Sequence, residues 1–287
     1  MKKFTYSLLM LILVIPLTGC GIDLPIKTEQ KTGPLVSEQI TIPAPSSGSP
    51  LNMDLIFGAG KMIILPHPGD DLVSGTVAYN VADFKPDITI TENRIQIKQG
   101  NLKLHAVPTV NEKIKNEWSL ALSDHPLDLD IKAGAYSAEL ELGGLALTDL
   151  HLTDGASDVT VRFSAPNQAA MNAFRYETGA SNITLQKLGN ANFQTLIFQS
   201  GGGNYNLDFS GSLRRSANVF IETGLSRLVI TVPENVPARA QFEGPLSKVN
   251  ARGTWQESGQ EYVQPGTGPE LLFTIETKAG TVTLKNP

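Results

Sequence analysis

Apolar and polar residues alternate with period two along most of this chain. Examples are Leu127-Asp128-Leu129-Asp130-Ile131, Ile88-Thr89-Ile90-Thr91 and Ile95-Gln96-Ile97-Lys98. That period is the signature of strands with one face buried, whereas a helix would place its apolar residues three or four apart. The only segment whose pattern predicts a helix is short, Asn111 to Trp118. The pattern therefore predicts an all-β protein.

A longer period lies over the short one. Five segments align on a glycine at their fourth position: Ile131 to Leu140, Leu152 to Val161, Tyr176 to Leu185, Phe198 to Leu207 and Ile221 to Ile230. Their glycines, Gly134, Gly155, Gly179, Gly201 and Gly224, are separated by 21, 24, 22 and 23 residues. In every copy the residues five and three before the glycine, and four and six after it, are apolar; around Gly179 these are Phe174, Tyr176, Ile183 and Leu185. Two outlying copies keep the phase. One surrounds Gly58, with Met53, Leu55, Met62 and Ile64; the other surrounds Lys278, with Phe273, Ile275, Val282 and Leu284.

A repeat of this length predicts one coil of a β-solenoid, a right-handed parallel β-helix-like stack of 21–24-residue coils. Each coil would hold two short strands and a sharp corner where glycine supplies a positive φ. Stacking would then line up Leu140, Val161, Leu185, Leu207, Ile230 and Leu284 as one wall of the core. A β-sandwich also offers alternation and glycine turns, but its turns recur every 8–12 residues without a shared longer period.

The first residues follow another logic. Lys2 and Lys3 precede an apolar run from Leu8 to Leu17, which is shorter than the roughly 18 residues of a spanning helix. Leu17-Thr18-Gly19-Cys20 then resembles the lipobox of bacterial lipoproteins, in which the cysteine is lipidated and the chain is cut just before it. The expected plan is a signal peptide over 1–19, a Pro- and Ser-rich tether over 20–50, an N-terminal β region over 51–125, and a solenoid domain over 126–287. The solenoid carries an insertion at 233–270, expected either to bind or to cap the stack. Acyl chains on Cys20 would hold the protein to the bacterial cell envelope, each buried CH₂ contributing about 0.8 kcal/mol.

Composition narrows the chemistry. The chain has 287 residues, 23 Lys and Arg against 28 Asp and Glu, and a formal charge of −5. No basic run follows Lys2 and Lys3, so a nucleic-acid partner is not expected. A single cysteine excludes disulfides within the chain and Cys-ligated metal clusters.

Together the lipobox, the tether and the glycine-cornered coils resemble the bacterial toast-rack family of envelope proteins, related to the C-terminal domains of cell-wall-stress regulators. The residues that carry the likeness are Leu55-Ile56-Phe57-Gly58-Ala59-Gly60, the Gly-Ala-Ser corners at Gly155 and Gly179, and Ile221-Glu222-Thr223-Gly224-Leu225-Ser226 running into Val232-Pro233. The resemblance implies a fold and an envelope setting. It transfers no catalytic residue.

Residues that could carry catalytic chemistry are sparse. Pro66-His67-Pro68-Gly69-Asp70-Asp71 is similar to the His-Pro-Asp-Asp signature of zinc-dependent sugar deacetylases, but Gly69 interrupts it. His105, His125 and His151 lie in β contexts with no helical pair to complete a zinc site. Solenoids also host acid-based polysaccharide cleavage. Yet Glu139 and Glu141 are followed one coil on by Thr160 and Arg162, then by Thr184 and Gln186, then by Asn206 and Asp208, so acids are not expected to stack on adjacent coils. Trp118 and Trp255 are candidate sugar-stacking platforms, with ordinary packing as the plainer role. No cofactor is expected. The expected function is a non-enzymatic binding or scaffold protein whose partner is an envelope protein or wall glycan; a stress sensor or regulator, or a carbohydrate-active enzyme, are the alternatives.

Overall fold

The computed structural model describes residues 32–45, 48–100, 114–243, 247–259 and 261–287. The lipobox residues Leu17, Thr18, Gly19 and Cys20 lie outside the described residues, as does His105. The strands, in chain order, are β1 (Val36–Pro43), β2 (Leu51–Pro66), β3 (Asp71–Tyr79), β4 (Pro86–Ile90), β5 (Arg94–Gln99), β6 (Asn116–Leu122), β7 (Pro126–Glu141), β8 (Ala146–Asp154) and β9 (Ala156–Arg162). They continue as β10 (Met171–Gln186), β11 (Phe193–Asp208), β12 (Ala217–Thr231), β13 (Ala238–Glu243), β14 (Ser247–Ala251), β15 (Gln256–Ser258), β16 (Glu261–Gln264) and β17 (Leu271–Lys285). The described strands all join one 17-stranded sheet.

The repeat is a solenoid rung. A strand such as β10 pairs in parallel with β11 along both its halves, from Met171↔Phe193 before Gly179 to Leu185↔Leu207 after it. Both halves keep their inward residues buried, so each rung has a first arm before the corner and a second arm after it. The expected wall is present: Leu140, Val161, Leu185, Leu207, Ile230 and Leu284 are successive register partners, and all are buried. Burying each side chain of this size contributes about 1.5–3 kcal/mol. The same wall extends at its two ends to Ile64 and Leu120, and to Ala251.

The reason for the corner glycines differs from the expected one. None of Gly58, Gly134, Gly155, Gly179, Gly201 and Gly224 has a positive φ. Instead, Gly134, Gly155, Gly179, Gly201 and Gly224 each sit directly over the carbonyl of the glycine in the preceding rung, while Gly58 faces the Gln99 side chain. A Cβ on Gly179 would lie 2.3 Å from the Gly155 carbonyl oxygen, and one on Gly224 would lie 1.9 Å from that of Gly201. The ladder runs through this contact, with the Gly155 amide donating to the Gly134 oxygen at 2.9 Å and the Ala180 amide to the Gly155 oxygen at 2.9 Å. Positive φ occurs two residues later, at +143° in Gly203 and +134° in Gly280.

At both ends the order of rungs departs from chain order. β2 lies between β7 on one side and the pair β5 and β6 on the other. β17 likewise lies between β12 and the pair β13 and β14. Outside these end rungs run antiparallel covers: β4 on β5, β3 on β6 and β1 on β3 at one end, and β16 on β13 with β15 on β16 at the other. A stack of parallel strands would otherwise expose pairing edges, and such covers remove them.

Several expected boundaries therefore move. Residues 36–43, assigned to the tether, form β1 and bury Ile40 and Ile42 against the body. The N-terminal β region is not a separate unit, because β2, β5 and β6 are rungs of the stack. The insertion at 233–270 supplies a terminal rung and its cover, so it caps. Of the expected helix over Asn111 to Trp118, residues 111–113 lie outside the described residues, while Asn116 to Trp118 open strand β6. Its alternating burial from Asn116 to Leu122 has period two.

The glycine contact makes a direct prediction. Gly224→Ala should cost about 1–3 kcal/mol in urea unfolding, the range of an overpacked core. Gly48→Ala, at a site with nothing within 4 Å of the added carbon, should change stability by less than about 0.5 kcal/mol. Equal effects would show that the corner does not need glycine.

Candidate functional site

Outward side chains of the first arm stack as regularly as the inward ones. Six residues before the corner, Arg94, Asn52, Asp128 and Asp149 are successive register partners. Four residues before it the row reads Gln96, Asp54, Asp130, His151 and Arg175. Strand spacing places neighbours in such a row about 4.8 Å apart. The two rows line a shallow groove of about 220 Å³ bounded by Asn52, Asp54, Arg94, Asp128, Asp149 and Arg175. A register irregularity between β7 and β8 at Leu127/Asp128 lies beside it. Such bulges re-aim the side chains around them.

The charges in the groove are unequally compensated. Asp54 has only 6% of its side chain exposed and is gripped by Arg94 through both Nε and Nη2, the second at 2.9 Å. Asp130 pairs with Lys132. Asp149 accepts from Asn172 Nδ2 at 3.1 Å and from the Ala173 amide at 3.2 Å. His151 bridges toward Asp130 at 4.0 Å and Glu177 at 3.4 Å. Asp128 sits between these acids. Burial, and then Asp149, Asp130 and Asp54, push its pKa above the usual 3.8. This is a carboxylate held against its own preference.

The candidates expected from sequence do not converge on a site. Glu139 lies 3.9 Å from Lys61 on the second arm. Glu141 accepts the Gly143 and Ser164 amides, and Asp208 holds Ser210, so both fix loops. Trp118 and Trp255 are buried, the former edge-on to Phe57 at 5.1 Å, so neither is a sugar platform. His67 lies in the turn between β2 and β3, where its amide donates to the Leu122 oxygen. His125 contacts the Ser49 oxygen. No group of three or more ligating side chains able to hold a metal occurs among the described residues. No helix among them is long and apolar enough to cross a membrane.

A second carboxylate, Asp154, is buried inside the corner. Tyr176 Oη donates to it at 2.9 Å, and Thr178 and Ser181 add hydroxyl donors. Burial is the main reason that the Tyr176 and Tyr136 pKa values rise. With its oxygens satisfied by neighbours in the next rung, Asp154 fixes the corner.

The expectation that acids do not stack on adjacent coils fails on the first arm. The glycine frame applied six and four residues before the corner puts Asp128 beside Asp149 and Asp54 beside Asp130. Paired acids are absent only from the rows after the corner.

The raised pKa of Asp128 sets a pH dependence. Its folded-state pKa lies above the unfolded one, so its ionisation subtracts stability above the folded pKa, and this penalty is gone below the unfolded value. Asp128→Asn should therefore raise the thermal midpoint at pH 7, and the gain should vanish below about pH 3.8. A lowered midpoint at pH 7 would mean that the carboxylate stabilises the fold.

Comparison with known proteins agrees with this architecture. Residues 31–186 match the profile described as the N-terminal domain of toast-rack, DUF2154. A solved structure of a candidate cell adhesion protein from Clostridium sporogenes superposes with a TM-score of 0.52 at 19% identity, covering 88% of this chain and 100% of that one. A candidate adhesin from Bacteroides fragilis gives a TM-score of 0.45 at 12% identity, covering 88% and 97%. No curated protein matches. The profile spans more than half of the sequence, from β1 through β10, and the chain belongs to the toast-rack family.

Proposed function

We propose that this protein is a lipid-anchored, non-enzymatic envelope protein that binds its partner through the outer face of the first arm. The carrying observation is the groove around Asp128, where carboxylates stack in register and one is held with a raised pKa. Such an arrangement works against folding and is a reason to look for a ligand that relieves it. The second arm contrasts with it. There Asn182 and Asn204 bond side chain to side chain at 2.9 Å and Thr160 stacks on Thr184, a surface satisfied by itself.

The anchoring half of the reading rests on Leu17-Thr18-Gly19-Cys20. The description of the Clostridium sporogenes protein as a candidate cell adhesion protein fits a surface-binding role. A carbohydrate-active enzyme is the second reading, favoured by the raised pKa of Asp128 beside Asp149. It requires turnover of a wall glycan that Asp128→Asn abolishes.

Fractionation tests the anchor. Cys20→Ser should move the protein from the membrane pellet to the soluble fraction. Retention of the variant in the pellet would contradict lipid anchoring.

A further inference from the structure

Beyond the groove, the same outer face changes character. In the rungs of β11, β12 and β17, the row four before the corner reads Ile197, Phe220 and Thr274, and the row six before it reads Thr195, Asn218 and Leu272. Phe220 is 45% exposed and Leu272 38%. One or two exposed apolar side chains need no explanation on their own.

Their neighbours give them one. The row next to the corner reads Glu177, Gln199, Glu222, Glu276 and Glu243 in continuous register. Glu222, Glu276 and Glu243 thus stack in three successive rungs, and like charges on facing positions oppose each other. The cations here are Lys278, 3.8 Å from Glu222 in a pair whose side chains are both about half exposed or more, and Arg239, the register partner of Leu272, which is held 3.0 Å from Glu261. An exposed pair of that kind offsets little. Parallel sheets are also normally covered on both faces, and this one carries apolar side chains on its open side.

We infer that the face formed by Phe220, Leu272, Glu222, Glu276 and Glu243 docks a polypeptide segment of the partner that presents apolar side chains and Lys or Arg on the same face. Charge complementarity selects the occupant. The apolar residues would cover Phe220 and Leu272, while the cations would lie against the glutamate row, whose members stand about 4.8 Å apart. An anionic lipid surface would meet the same glutamates and be repelled. This inference rests on the reading that the first-arm face is the binding surface, and it names the chemistry of the partner.

Two experiments separate it from that reading. In the first, the intact protein is titrated with a labelled twelve-residue peptide of repeating Val-Val-Lys-Lys, which sets both residues on each face of an extended chain, with matching Val/Glu and Ser/Lys peptides and phosphatidylglycerol vesicles as comparisons. The Val/Lys peptide should bind most tightly. The double variant Glu222→Gln with Glu276→Gln should weaken it about tenfold at low salt and flatten its salt dependence, and Phe220→Ser should weaken it about fivefold. All three positions are solvent-facing, and thermal unfolding checks that each variant is folded. Equal binding of the Ser/Lys peptide, vesicle binding in preference to the peptide, or no effect of Phe220→Ser would overturn the inference.

In the second, a photo-crosslinking residue is placed in cells at Asn218, at Asn172 beside the groove, or at Asn206 on the second arm. Adducts from Asn218 to a segment rich in Lys or Arg are expected. Adducts from Asn172 alone would overturn the docking inference while leaving the first-arm reading intact, adducts from Asn206 alone would overturn both, and adducts from none of the three sites would also overturn both.

Discussion

Strands β7, β10, β11 and β12 turn their corners within one strand spacing of the rung beneath, and the backbone itself fills the space at each corner. The carbonyl of one glycine occupies the position that the next glycine's Cβ would take, from Gly58 through Gly224. Because the bend is made by backbone against backbone, the hydrogen-bond ladder crosses it without a break, and the two arms stay in a common register from rung to rung. That shared register lines up inward side chains as continuous walls. It also lines up outward ones, and so turns a repeated sequence into rows of like chemistry on the surface.

A stack of this kind has two vulnerable ends. Here each is closed by leaving chain order: β2 and β17 are placed between a following or preceding rung and an outer one, and antiparallel strands cover what remains. Threading of this type ties the end rungs to two neighbours instead of one. The remaining freedom of the sequence is then on the outer faces, where the first arm carries acids in register and the second carries amides and hydroxyls. The groove and the glutamate row both draw attention to the first arm.

Much of the stack was legible in the sequence because its signal is repeated. Leu140, Val161, Leu185, Leu207, Ile230 and Leu284 each report the same inward position, so the wall and its order follow from the glycine frame. The physical role of the glycines did not follow, since a close approach between rungs and a positive φ ask for the same residue. The end rungs were hidden for a different reason. Ala240, Phe242, Val249 and Ala251 keep the frame around Pro245, but they lack the glycine, and β17 comes after them in the chain while lying before them in space. β1 was masked by the prolines around it, although Ile40 and Ile42 alternate as a strand requires. The groove was present in the alternation of Leu127-Asp128-Leu129-Asp130. It becomes visible only when the frame is carried to the positions before the corner.

The central claim is that the first-arm face is covered by a partner in the cell and the second-arm face is not. Carbodiimide labelling of carboxylates, compared between intact cells and the purified protein, tests it most directly. Asp149, Glu222 and Glu276 should label less in cells, while Glu139 and Asp158 on the second arm should label equally in both. Equal labelling of both arms, or protection confined to Glu139 and Asp158, would contradict the account.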